Sequence, residues 1–94
     1  MIVRISEEGQ YELADELHDQ LNQLDDAAVE AVDRDDEAGW RAAFDELLKF
    51  VRENGKRTGE EDLRPSEIIL PPADLSYAEA GADFTGEGLV PDPA

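Results

Sequence analysis

Two rhythms of apolar and polar residues run along this chain. Ile2, Val3 and Ile5 are β-branched and alternate around Arg4, which predicts a short strand over residues 1–5. Ser6-Glu7-Glu8-Gly9 reads as a turn, and Gln10-Tyr11-Glu12-Leu13 as a second strand hairpinned to the first, with Tyr11 and Leu13 on one face. From about Leu13 the spacing changes to fours and threes. Leu13, Leu17, Leu21, Leu24, Ala28, Ala31 and Val32 line one stripe of a helix that runs to about Asp33. Asp15, Glu16, His18, Asp19, Gln20, Asn22, Gln23, Asp25 and Asp26 lie between them and form its wet face.

Arg34-Asp35-Asp36 interrupts the stripe, and Asp35 or Asp36 is placed to cap a second helix. There Trp40, Ala43, Phe44, Leu47, Leu48 and Val51 repeat helically, and Asn54-Gly55 reads as a left-handed stop. So short a connection predicts an antiparallel helical hairpin, with Leu zipped against Trp and Phe. Residues 56–62 lack any apolar side chain and read as an exposed connector. Between Pro65 and Pro71-Pro72, the segment Ser66-Glu67-Ile68-Ile69-Leu70 suits a strand lying beside the first. Ser76 and Glu79 fit a capping box opening a short helix with Tyr77, Ala80 and Phe84, which Thr85-Gly86-Glu87-Gly88 ends. Leu89-Val90-Pro91 offers a last apolar contact before a tail, 91–94, expected to fray. The sum is a single α+β domain over residues 1–94. Its small two- to three-stranded sheet packs against an antiparallel helical hairpin and a short third helix.

Composition sharpens this picture. Leu, Ile, Val and Phe supply 22 of the 94 residues, just enough for one modest core. Cysteine is absent, which removes disulfides, thiolate metal sites and cysteine nucleophiles. The formal net charge of −17 opposes direct binding to nucleic acid or anionic lipid, and its self-repulsion is relieved as salt shortens the screening length. No apolar run approaches the span of a bilayer, and no signal peptide opens the chain, so a cytoplasmic location is expected.

Candidate chemistry is sparse. His18 is the sole histidine, too few for a hydrolytic zinc site, and falls on the wet helix face. Asp33, Asp35 and Glu37 match the first positions of a calcium loop, but Ala38 and Phe44 stand where that loop needs glycine and glutamate. Gly86 and Gly88 lack the spacing and context of a nucleotide loop, and Ser6, Ser66 and Ser76 lack a nucleophile elbow. Trp40 reads as a core anchor rather than a stacking platform. No catalytic, cofactor or metal site is predicted, and an enzyme using paired carboxylates would need a pocket that a sequence does not display.

Three blocks taken together resemble one family. They are Met1-Ile2-Val3-Arg4-Ile5 with Glu8-Gly9-Gln10-Tyr11, then Pro65-Ser66-Glu67-Ile68-Ile69-Leu70-Pro71-Pro72, then Gly86-Glu87-Gly88-Leu89-Val90-Pro91. In order and spacing they resemble the PspA-associated proteins, PspAA, of actinobacteria and haloarchaea. The chain departs from that pattern at Glu7 and Arg34, where the resemblance leads one to expect glycine in the first turn and in the helix connection. The resemblance implies a non-catalytic accessory protein of the phage-shock envelope-stress response. Its partner would be a PspA-like coiled-coil protein, any membrane association would run through that partner, and no cofactor is called for. It singles out Gly9, Gln10, Tyr11, Gly86, Glu87 and Gly88 as a candidate interaction surface, because glycines bare the backbone to a neighbour. The charge alone also fits an acidic mimic of nucleic acid seated in the basic cleft of a DNA-binding protein. A free edge strand or a residual apolar helix stripe would permit a homodimer.

Overall fold

Backbone pairing begins at the first residues. In the computed structural model, which describes residues 1–58 and 68–83, β1 (Ile2–Ile5) pairs antiparallel with β2 (Gly9–Glu12). On its other side β1 pairs with β4 (Ile68–Leu70), the strand expected beside it, and the pairing is parallel. The register sets Val3 opposite both Tyr11 and Ile68, and Ile5 opposite Leu70, so these five side chains share one face and all are buried. Ile69, on the alternate face, is 58% exposed.

The sheet has four strands among the described residues, in the order β3-β2-β1-β4, rather than two or three. The unexpected one is β3 (Lys56–Arg57), at the head of the segment read as connector. Both of its side chains are exposed, so it carries no hydrophobic alternation to betray it. Backbone bonding holds it to β2, and the next residue continues the contact, the Thr58 amide donating to the Gln10 carbonyl at 3.0 Å.

The first helix starts later than its stripe. Leu13 donates its amide to the Met1 carbonyl at 2.8 Å, which prolongs the hairpin and excludes a helical start there. A 3-10 turn, Asp15–Leu17, leads into α1 (His18–Asp33). Leu21, Ala28, Val29 and Ala31 are buried, and so is Asp25, wholly. By its polarity Asp25 belongs on the wet face. Its spacing, four after Leu21 and three before Ala28, lays it on the buried stripe, while Leu24 is left half-buried. His18 is likewise half-buried rather than solvated.

The second helix, α2 (Glu37–Asn54), is capped by Asp36, whose Oδ1 accepts from the Gly39 amide at 3.0 Å. Trp40, Phe44, Leu47, Leu48 and Val51 are all buried and meet Leu21 and the sheet residues in one core. Trp40 stacks on Phe44, with ring centroids 5.3 Å apart, and Tyr77 of α3 (Tyr77–Asp83) leans on the same indole at 5.7 Å. The capping box forms: Ser76 Oγ accepts from the Glu79 amide and donates to Glu79 Oε1 at 2.8 Å. Arg41 lies 4.5 Å over the Trp40 ring and donates to the carbonyls of Ala73 and Leu75, tying the segment after β4 to α2. The contacts expected of Phe84 and of Leu89-Val90-Pro91 lie outside the described residues, as do Ser66, Glu67, residues 59–62 and the tail 91–94.

Gly55 corrects one further expectation. It is not a left-handed stop; at φ −91° and ψ 154° it is extended and feeds α2 straight into β3. Glycine is required there for room. A Cβ at this position would sit 2.6 Å from the Val51 carbonyl, 2.9 Å from Leu13 Cδ1 and 3.0 Å from Tyr11 Cβ. Gly55→Ala is therefore expected to destabilise the fold by about 1–3 kcal/mol through overpacking. A urea midpoint equal to wild type would show that the joint has slack.

Candidate functional site

The stretch Gly9-Gln10-Tyr11 follows a tight turn that is held from three directions. The Glu8 amide donates to the Ile5 carbonyl at 3.0 Å, and Glu7 is bent to φ 67°, the left-handed region that costs a residue with a Cβ. This is the turn in which the family resemblance leads one to expect glycine. The other such residue is Asp35 at φ 55°, next to Arg34 in the helix connection.

Beyond the turn, Glu8 is the centre of a polar cluster. Its Oε2 accepts from the Tyr11 hydroxyl and from Arg52 Nε, each at 2.8 Å, while its Oε1 accepts from Arg52 Nη2. This fork from α2 clamps the hairpin tip to the helical layer. The Arg52 bonds, followed by that from Tyr11, hold the Glu8 carboxyl below its ordinary range against the opposing effect of burial. Burial, reinforced by donation to Glu8, pushes the Tyr11 phenol upward. Arg57 on β3 donates to the Glu8 carbonyl at 2.7 Å and lays its guanidinium over Gly9. Gly9 has φ 156°, a conformation that calls for glycine, and a Cβ there would meet only the Arg57 guanidinium, which a flexible side chain can move aside.

The predicted site residues thus have different fates. Tyr11 is buried and serves as a strut, Gly9 lies half-buried under Arg57, and Gln10 is half-buried with its carbonyl accepting from Thr58. Gly86, Glu87 and Gly88 lie outside the described residues. Arg52 and Arg57 escaped sequence reasoning because they join Glu8 across 44 and 49 residues, and one polar residue pairs with another without periodicity.

The helix connection shows the same economy. Asp36 caps α2, and Asp35 Oδ1 accepts from the Tyr77 hydroxyl at 2.9 Å. Desolvation first and this bond second raise the Tyr77 phenol above its usual range. Of the carboxylates of the failed calcium loop, Asp35 therefore has a donor within the protein. Among the described residues no three His, Cys, Asp or Glu side chains gather to hold a metal. Cations are scarce: α1 has neither Lys nor Arg, and its exposed surface carries Asp19, Asp26, Glu30 and Asp33. With Arg41 and Arg52 engaged in staples, much of the exterior is left anionic.

A family model described as PspA-Associated protein matches residues 1–92. Neither the curated proteins nor the solved structures contain a match.

Two predictions follow the turn and its clamp. Glu7→Gly should be more stable than Glu7→Ala by about 1 kcal/mol, since both remove the charge and only glycine relieves the left-handed backbone; equal urea midpoints would refute this. A double-mutant cycle of Glu8→Gln with Arg52→Met should give a coupling of about 1 kcal/mol near neutral pH, modest because the pair is partly exposed. With its folded pKa lowered, Glu8 contributes this stability above the ordinary glutamate pKa and loses it as pH falls through the lowered value. A wild-type advantage over Glu8→Gln that persists undiminished in strong acid would contradict the assignment.

Proposed function

The chain belongs to the PspA-associated protein family, and on that footing we propose that it is a non-catalytic adaptor that binds PspA in the envelope-stress, or phage-shock, response. The match across residues 1–92 is the observation that carries this reading, because it takes in every described element. The physical properties of the surface support it. A net charge of −17, with arginines committed to internal staples, favours encounter with a partner that presents Lys and Arg, and speeds it at low salt. The helical layer offers a platform, since α1 and α2 share one core and Trp40 of α2 meets Tyr77 of α3. No helix among the described residues is long and apolar enough to cross a membrane. Contact with the envelope accordingly runs, in this proposal, through PspA.

Co-purification tests the reading. The tagged chain is expected to retain PspA from the same cell at low salt, and to release part of it as KCl is raised. Retention of no PspA at low or high salt would refute the proposal. Capture instead of a DNA-binding protein that duplex DNA displaces would establish the nucleic-acid mimic in its place.

A further inference from the structure

We infer that the groove between α1 and α2, on the side turned away from the sheet, seats a partner helix bearing an apolar stripe flanked by Lys and Arg. The identity of that partner as PspA rests on the proposed function; the chemistry of the groove does not.

The orientation follows from the arginine staples. Arg41 and Arg52 leave one flank of α2 and reach the carbonyls of Ala73 and Leu75 and the carboxylate of Glu8, so this flank looks toward the sheet layer. At 100° per residue, Ala43 and Phe50 leave the opposite flank, and both are only half-buried. Helix α1 runs antiparallel beside α2, so turning the same way about its axis also leads outward. That outward wall carries half-buried Leu17 and Leu24 and exposed Ala27, whereas Val29, on the flank toward the sheet, is buried.

These five residues form an apolar floor along the hairpin. The alanines permit close approach of a helix backbone, and Leu24 and Phe50 give it something to bury against. Glu46 and Glu53 are exposed beside the floor. Among the described residues, Lys49 stands 4.0 Å from Glu53. An apolar floor with anionic margins is complementary to a basic amphipathic helix. A second copy of this chain, itself carrying a net charge of −17, would be repelled and is disfavoured.

Calorimetric binding to PspA at fixed salt tests the groove. Ala27→Arg and Glu46→Arg should each weaken binding by roughly tenfold or more, while Asp26→Arg, on the far flank of α1, should weaken it by less than about threefold. Circular dichroism must show all three folded. Equal losses from Glu46→Arg and Asp26→Arg would reduce the contact to general charge attraction and overturn the groove. Unchanged binding by Ala27→Arg and Glu46→Arg would overturn it too, with PspA binding intact. If the wild type binds no PspA, the proposed function fails separately. The groove is then decided by NMR titration with a synthetic leucine helix flanked by lysines: shifts gathered at Leu24, Ala27, Ala43 and Phe50 support it, and shifts spread over the exposed carboxylates overturn it.

Discussion

Burial of the apolar ridge of α2 is the constraint on which the rest of the structure depends. Trp40, Phe44, Leu47, Leu48 and Val51 are all shielded from water, and each other element touches this ridge or is tied to the helix that bears it. Helix α1 closes one side, the sheet lies beneath, and Tyr77 brings α3 against the Trp40 indole. Removing a large core side chain of this kind costs about 3–5 kcal/mol, a large share of what a small domain has. The ridge must also outweigh the mutual repulsion of an exterior in which acids outnumber bases by 25 to 8.

That imbalance gives the few guanidinium groups particular work. Arg41 combines ring stacking with donation to two carbonyls, and Arg52 takes both oxygens of one carboxylate. A flexible ammonium would reproduce neither geometry, which gives a physical reason for arginine at these positions. Each staple joins residues more than thirty positions apart, so each closes a large loop that periodic packing alone would leave open.

Most of the architecture was legible from side-chain rhythm. The helical hairpin, the capping box at Ser76 and the pairing of the Ile68–Leu70 strand beside β1 emerged as read, while the stripe of α1 began later than Leu13 and took in Asp25. What escaped had a common cause, because it was decided by backbone or by polar contact. Strand β3 has two exposed basic residues and no apolar one; Asp25 occupies a core position in a polar guise; Gly55 answers to space rather than to torsion. The candidate surface was legible only in part. Its glycine and tyrosine could be picked out by family pattern, but the arginines that cover and brace them could not.

The extended Gly55 has a mechanical consequence. Helix α2 ends at Asn54 and β3 begins at Lys56, so a single crowded residue joins the longest helix among the described residues to the rim of the sheet. Such a coupling leaves the torsions of one residue to take up any rotation between the two. A one-residue joint also fixes how far apart the two can stand, so the end of α2 is kept beside the β3–β2 rim and the hairpin tip that Arg57 overlies.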